Sequence, residues 1–159
     1  MDTAYKTTLE LDKVLARAVQ LCACQETKEM MQALEPAPTI EDERYDLAQT
    51  NAINALLIKN GSPRFGSVRE VRRIVAHARK GGILSMGELL EIAATLRNFS
   101  GLSQWYGLSE HEMLPTDDLF FALAPQPVLE KQISESILSP EEMADTASVT
   151  LHDLRRKIR

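Results

Sequence analysis

Apolar side chains recur every three or four positions along most of the chain, which is the spacing of an amphipathic α-helix. The period is clearest between Leu11 and Cys22, where it holds over about three turns. The same pattern predicts helices over residues 26–34, 40–59, 86–106 and 128–138, and from Val149 to Arg159. Because no stretch of useful length alternates as a strand does, we expect an all-α fold with one short β pair near residues 137–147.

Capping residues indicate where two of these helices begin and end. Thr39 can cap the helix that follows it, and Gly61 is placed to end that helix. Ser85 and Glu88 have the spacing of a capping box, in which each side chain binds a free backbone N–H of the first turn. We therefore expect a helix to begin at Met86.

A second capping box predicts one further helix. Ser67 and Glu70 have the same spacing, and the sequence VREVRRIVAHARK follows the serine. We expect this helix to run from Val68 to the glycine pair that begins at Gly81.

The composition is that of an ordinary soluble globular protein, with 44% hydrophobic and 26% charged residues among 159. It contains neither an apolar run of about 18 residues nor the pattern of a secretory signal. Cys22 and Cys24 are two positions apart on a helical pattern, so their side chains point in different directions. We therefore expect no disulfide between them, and a cytoplasmic protein without a membrane partner.

The net charge of −5 hides an uneven distribution of charge along the chain. Residues 81–154 contain two cations and twelve acids, whereas the last five residues contain four cations. Residues 59–80 contain one acid, Glu70, and seven cations: Lys59, Arg64, Arg69, Arg72, Arg73, Arg79 and Lys80. The chain as a whole is therefore no typical polyanion binder, but it can carry a local basic face.

Four cations of the central stretch fall on one face of the helix predicted from Val68. They are Arg69, Arg72, Arg73 and Lys80, with Val68, Val71, Ile74, Val75 and Ala78 turned inward. One interpretation is a solvated face that pairs with the acidic second half of the chain. The other is contact with a nucleic-acid phosphate backbone, which would be salt-dependent. Phe65 is the only aromatic residue of the stretch, so base stacking is weakly supported.

The sequence offers no convincing set of catalytic or metal-binding residues. GSPRFGSV has two glycines at P-loop spacing, but it lacks the P-loop lysine and follows a predicted helix, not a strand. Cys22 and Cys24 have no second pair, and the three histidines lie far apart without ligand spacing. We expect no catalytic site, no bound cofactor and no metal in this chain.

Several segments, in order, resemble the N-terminal part of the type-two MutS family of bacteria. The first is TTLELDKVLARAVQLCACQETKEMMQALEPAPTIE, which is similar to the first helix of that family and the Leu-Pro break after it. The second is PRFGSVREVRRIVAHARKGGILSMGELLEIAATLR. The third is DTASVTLHDLRRKIR, through Asp145, Ala147, Ser148, Leu151, Leu154, Arg155 and Ile158. The resemblance covers nearly the whole chain.

The resemblance implies a much longer, homodimeric protein with a helical core and lever, a clamp, an ATPase module that uses ATP and Mg²⁺, and an endonuclease domain. Members of the family are expected to act on branched or double-stranded DNA, suppressing recombination, or on stalled ribosomes and their rRNA. This chain would then be a non-catalytic piece, with an N-terminal helical core over residues 1–145. Residues 146–159 would be the root of a lever helix.

In that lever root, Leu151, Leu154 and Ile158 are expected to pack on the core. Arg155, Arg156 and Arg159 would then face solvent or nucleic acid, and they complete the candidate binding residues. The alternative is a stand-alone helical adaptor for a protein partner. A reading frame that continues past Arg159 to a Walker A motif would favour the first hypothesis, and a stop codon there the second.

Overall fold

The structure, a computed structural model, describes residues 8–64, 66, 68–108 and 110–158. The chain divides into two compact units, Met1–Glu43 and Arg44–Arg159. Regular structure is mostly helical, and the sheet in the described part consists of two short antiparallel strands. The expected all-α fold with a short β pair is therefore confirmed, while the predicted division at residue 145 stays a prediction.

Two short helices lie in the first unit. Helix α1 covers Leu11–Leu21, helix α2 covers Gln25–Gln32, and the two contact each other. Cys22 follows α1 and donates its S–H to the carbonyl oxygen of Ala18 at 3.4 Å. Cys24 lies 2.9 Å from the hydroxyl of Thr27, so each thiol has a local hydrogen-bond partner.

Helix α3 covers Ile40–Asn60 and has the two ends that the sequence predicts. The hydroxyl of Thr39 accepts a 3.1 Å hydrogen bond from the backbone N–H of Asp42, which is an N-cap interaction. Gly61 follows the helix with a φ of 73°, a left-handed conformation that glycine adopts without strain.

The second unit holds the remaining elements in a simple order. They are α4 (Arg72–Arg79), α5 (Met86–Tyr106), α6 (Asp117–Phe121), α7 (Pro127–Ser136), β1 (Ile137–Ser139), β2 (Glu142–Met143), a 3₁₀ turn (Asp145–Ala147) and α8 (Val149–Ile158). No helix in the described residues is long and apolar enough to cross a bilayer.

One apolar cluster joins α3 to the end of α5 and to α6. Leu56, Trp105 and Tyr106 are buried there, and Phe120 packs against them. The connection is closed by two hydrogen bonds: the indole N–H of Trp105 donates to the carbonyl of Gly61 at 2.8 Å, and the amide of Asn60 donates to the carbonyl of Trp105 at 3.1 Å. The end of α3 is thereby fixed to the end of α5.

Buried polar groups complete this cluster around Tyr106. Its hydroxyl donates to Oδ1 of Asp117 at 2.6 Å and lies 2.9 Å from the hydroxyl of Thr116, which has no exposed surface. The other carboxylate oxygen of Asp117 accepts a hydrogen bond from the backbone N–H of Leu114. Burial and the neighbouring Asp117 raise the pKa of Tyr106, because both disfavour the phenolate.

A second apolar cluster joins α5 to α7 and β1 through the buried side chains of Ala93, Ile133 and Ile137. Above it, Nε of Arg97 on α5 donates to Glu130 on α7 at 3.1 Å. Donation from Arg97 holds the pKa of Glu130 below its usual value. The helix pair α5–α7 is therefore joined by both apolar packing and an ion pair.

The β1–β2 hairpin follows α7 directly, with Ile137 opposite Met143. After the hairpin, the backbone N–H of buried Ala144 donates to the carbonyl of Ser136 at 2.9 Å. This bond returns the chain to the end of α7, so the 3₁₀ turn begins from a fixed point.

Candidate nucleic-acid interface

Helix α4 and its C-cap carry three of the seven basic residues that the sequence selects as candidates. Arg72 and Arg73 are its first two residues, and Lys80 is its C-cap. All three are exposed, whereas Ile74 is buried on the opposite side. The helix therefore attaches through an apolar side chain and presents cations outward.

The helix begins four residues later than predicted, because Val71 is its N-cap. Arg69 therefore lies ahead of α4 and does not continue its cationic face. The predicted capping serine, Ser67, lies outside the described residues. Just before it, the backbone N–H of Gly66 donates to Oδ1 of Asn98 on α5 at 2.9 Å, which ties this segment to α5 before the helix begins.

The exposed side of α4 forms an open groove of about 460 Å³ with a cationic rim. Val75 lines this groove and is 43% exposed, and Ala78 is exposed as well, so the prediction that these two residues turn inward is wrong. Arg79 also lines the groove, although it is not among the predicted binding residues. It lies seven residues after Arg72, which places the two on the same helix face, and this spacing could have identified it. The lining residues are Arg72, Val75, Ala76, Arg79 and Lys80.

The first two arginines of α4 are poorly placed for the stability of the helix itself, whereas Arg79 in the last turn is favourably placed. Arg72 and Arg73 occupy the first turn, where the positive end of the helix dipole disfavours cations by roughly 0.3–1 kcal/mol each. The helix contains no acidic residue. Within the described part of the chain, Arg73, Arg79 and Lys80 have no carboxylate at ion-pair distance. The positive charge of these three residues is therefore not balanced by an ion pair within that part of the chain.

The other end of α4 is closed by its two glycines. Gly81 has a φ of 82° and donates to the carbonyl of Ala78 at 2.9 Å, while Gly82 donates to the carbonyl of His77 at 3.1 Å. This pair of bonds is a Schellman motif. A Cβ on Gly82 would lie 2.2 Å from Nε2 of His77, so the imidazole covers this glycine. The cationic groove therefore ends at a tightly fixed turn.

Glu88 is the first acidic residue after α4, and it forms the N-terminal cap of α5 together with Ser85. Ser85 donates its backbone N–H to Glu88 at 2.7 Å, and its hydroxyl accepts the N–H of Glu88 at 3.3 Å, which confirms the predicted capping box. The hydrogen bonds from Ser85 hold the pKa of Glu88 below its usual value, with a smaller electrostatic contribution from His77. Glu88 is therefore committed to the helix terminus.

The candidate arginines of α8 differ in their surroundings, since Arg155 has hydrogen-bond partners within the chain and Arg156 is exposed. Arg155 was expected to face solvent or nucleic acid, but its guanidinium donates to the carboxylate of Asp145 and to the carbonyl of Met143, the latter at 2.9 Å. Arg155 thus has partners within the chain, because the β hairpin and the turn after it bring acceptors to within reach of α8, and its side chain remains 37% exposed. Arg156 is exposed, and Arg159 lies outside the described residues.

The apolar stripe of α8 only partly meets the expectation that it packs on the core. Leu151 is half-buried, but Leu154 is 52% exposed and Ile158 is 84% exposed. For these last two residues the predicted packing is wrong within this chain. Helix α8 contacts the 3₁₀ turn, and the exposure of the stripe increases along the helix from Leu151 to Ile158.

The described ranges give little support for a metal site or a catalytic site. No three side chains of His, Cys, Asp or Glu come together there as a metal site would require. The titratable groups with shifted pKa values, Glu88, Tyr106 and Glu130, all serve structural hydrogen bonds. The surface on α4 is therefore the best candidate for a functional site.

No protein-family model matches the chain. Curated relatives nevertheless align with it over its length. Endonuclease MutS2 of Clostridium beijerinckii is 29% identical over 153 residues, which cover 95% of this chain and 20% of the relative. Endonuclease MutS2 of Ruminiclostridium cellulolyticum is 31% identical over 161 residues, covering 100% of this chain and 20% of the relative.

A third relative gives the same result. Endonuclease MutS2 of Acetivibrio thermocellus is 30% identical over 157 residues, or 95% of this chain and 19% of the relative. The chain thus spans about a fifth of the length of the curated relatives it matches. Together with the ordered motifs of the sequence, these alignments establish that the chain belongs to the MutS2 family and is consistent with its N-terminal part.

Proposed function

We propose that this chain is a non-catalytic core and lever element of a MutS2-type protein, and that the α4 groove contacts the phosphate backbone of nucleic acid. In such a protein, the ATPase and endonuclease activities, with ATP and Mg²⁺, would be contributed by residues other than these. The proposal includes a homodimeric, cytoplasmic protein that acts on branched DNA or on the rRNA of stalled ribosomes.

The observation that carries the proposal is the position of Arg72 and Arg73 in the first turn of an α-helix without acids. Cations at that end oppose the helix dipole, so the dipole does not account for their position. Arg79 and Lys80 extend the positive charge along the same groove. Guanidinium and ammonium groups arranged in this way suit a series of phosphates.

The lining of the groove favours a duplex over a single strand. Its floor consists of Val75 and Ala76, and its lining residues include no aromatic side chain on which a base could stack. Contact would therefore be made to backbone phosphates and would carry little sequence specificity. Such contact suits a protein that recognises branched or distorted nucleic acid through its shape.

The experiment is a salt titration of binding to a branched DNA duplex and to a double-stranded RNA. Replacement of Arg72, Arg73 and Arg79 by Glu is expected to weaken binding, with the salt dependence shallower by about 0.9 per lost phosphate contact on B-DNA. Lys131→Glu, on the exposed side of α7, is the control for added negative charge. Equal affinity of the wild type and the triple variant at low salt would refute the proposal.

The stand-alone adaptor remains a second candidate because α3 borders another open groove. That groove is about 500 Å³ and is lined by Ile53 and Leu57 together with amides such as Gln49 and Asn54. Apolar and amide groups of this kind suit a helical peptide of a protein partner. A natural stop codon after residue 159 would favour this candidate, and continuation into a Walker A motif would favour the first.

A further inference from the structure

We propose that Arg155 is a positioning residue that, through Asp145 and Met143, fixes the orientation of α8 relative to the rest of the second unit. The proposal concerns the orientation of a helix and does not depend on nucleic-acid binding. It rests on three features: a rigid base, a short connection, and a second point of attachment on α8.

The base is the hairpin and turn that precede α8. Ile137 of β1 is buried with Ala93 and Ile133, so the hairpin starts inside the apolar cluster between α5 and α7. Ala144 is also buried, and its backbone N–H donates to Ser136 at the end of α7. Asp145, the next residue, is therefore held at a defined position relative to α5 and α7.

The connection between the base and α8 is short and is itself capped. Ser148 precedes α8 in an extended conformation, and its hydroxyl accepts a 3.1 Å hydrogen bond from the backbone N–H of Leu151. Its carbonyl accepts the N–H of His152 at 3.0 Å. The start of the helix is thus fixed, but one point of attachment leaves the helix axis free to swing about it.

Arg155 supplies the second point of attachment. It lies seven residues after Ser148, or roughly 10 Å along the helix. From there its guanidinium reaches back to the carboxylate of Asp145 and to the carbonyl of Met143. The helix is therefore attached to the base at Ser148 and again at Arg155. Two attachment points on one rigid helix fix the direction of its axis.

The attachment is suited to opening as well as closing. The side chains of Arg155 and Asp145 are 37% and 38% exposed, and half-exposed ion pairs contribute little to global stability. Loss of such an ion pair should change the local equilibrium between orientations of α8 about fivefold without unfolding the domain. Arg155 therefore controls a swing of α8 and contributes little to the stability of the fold.

Three residues of this attachment lie in DTASVTLHDLRRKIR, the third segment that carries the family resemblance. That segment contains Asp145, Ser148 and Arg155 together. In the structure they are the base acceptor, the helix cap and the returning guanidinium. The spacing of ten residues between Asp145 and Arg155 places them together only because the 3₁₀ turn and Ser148 lie between them.

The test measures the distance between spin labels at Lys131→Cys on α7 and Lys157→Cys on α8, with Cys22 and Cys24 replaced by Ser. We expect a narrow distance distribution with Arg155 present. In Arg155→Ala, displaced orientations should increase about fivefold. The thermal midpoint should stay within about 2 °C of the parent, because the pair is half exposed. The matched control is Arg156→Ala, which removes an exposed arginine from the same turn.

Two further results decide the proposal if Arg155→Ala perturbs the fold. Arg155→Lys keeps the charge but cannot present two donors in a fixed fork, so it should give an intermediate distribution. Exchange of the charges, Asp145→Arg with Arg155→Asp, should narrow the distribution relative to either single change. A distribution in Arg155→Ala and Arg155→Lys that equals that of the parent, or equal broadening by Arg156→Ala, would overturn the proposal.

Discussion

The backbone N–H of Gly66 donates a 2.9 Å hydrogen bond to Oδ1 of Asn98, and this oxygen occupies the space where a side chain at position 66 would begin. A Cβ on Gly66 would lie 2.7 Å from that oxygen. Gly61 and Gly81 have positive φ values, whereas Gly66 does not, so space and not backbone conformation requires glycine there. The loop before α4 is therefore coupled to the middle of α5.

Replacement of Gly66 by Ala should displace the amide of Asn98 and break this hydrogen bond. We expect a loss of about 1 kcal/mol in the free energy of unfolding, measured by urea denaturation. In an Asn98→Ala background the same change should cost nothing, because the oxygen is gone. Additive effects in this double-mutant cycle would contradict the coupling.

Gly101 provides the opposite case within α5. Nothing lies within 4 Å of a Cβ built there, and the residue is exposed in a helix interior. Gly101→Ala should therefore stabilise the protein by roughly 0.5–1 kcal/mol, since alanine loses less backbone entropy in a helix. A raised urea midpoint with an unchanged denaturant slope is the expected observation. A lowered midpoint would show that the site is crowded.

The capping box of α5 makes a third prediction. Ser85→Ala removes the hydroxyl that accepts the N–H of Glu88, and it should lower the free energy of unfolding by about 1 kcal/mol. Ser85→Asp, which keeps an acceptor at the N-cap, should retain most of the stability. Hydrogen exchange at the first turn of α5 should accelerate in the alanine variant alone.

Tyr106 makes the stability of the protein sensitive to alkaline pH. Its folded pKa is raised above the usual 10.0, mainly by burial and then by Asp117. The phenol therefore contributes stability that is fully present below the pKa of the unfolded chain and is lost as pH rises through the raised folded pKa. Unfolding free energies measured by denaturation between about pH 8 and 11 should show this decline.

Tyr106→Phe should remove that alkaline contribution while the ring still stacks on Phe120, whose centroid lies 3.8 Å away. At neutral pH the variant should be less stable by about 1–3 kcal/mol, because the carboxylate of Asp117 and the buried hydroxyl of Thr116 lose a partner. An unchanged alkaline decline in the variant would assign the effect to another group.

The sequence predicts helices best where both ends carry strong local signals. For α5, the box formed by Ser85 and Glu88 predicts the first residue, and the apolar period reaches Tyr106, where the helix ends. For α3, Thr39 and Gly61 do the same. Each of these signals acts within one helical turn, so tertiary structure is not needed to interpret it.

The start of α4 could not be predicted in the same way. A Ser-x-x-Glu spacing and an apolar period both favoured a helix from Val68, but the helix begins at Arg72. The segment before it is tied by Gly66 to Asn98, which is 32 positions away in the sequence. A contact over that separation overrides local propensity and is invisible to any pattern within one turn.

The positions of the candidate binding residues were also predicted only in part, because local spacing does not show long-range contacts. Arg72, Arg73 and Lys80 lie on one exposed helix, as their spacing indicated, and Arg79 joins them in the groove. The hydrogen bonds of Arg155 could not be predicted, because its acceptors lie on β2 and in the 3₁₀ turn, whose approach to α8 depends on how the chain folds back. Charge counts identify cations, but they do not show which cations already have a partner.

The β hairpin has a consequence for solubility. A strand at the edge of a sheet offers unpaired N–H and C=O groups to other chains, and this two-stranded sheet consists of edges alone. Its second strand is only two residues long, and the exposed carboxylates of Glu141 and Glu142 lie at the turn and on that strand. Short length and like charge therefore protect the hairpin against pairing with a neighbouring molecule, and neutral residues at these two positions would expose it to aggregation.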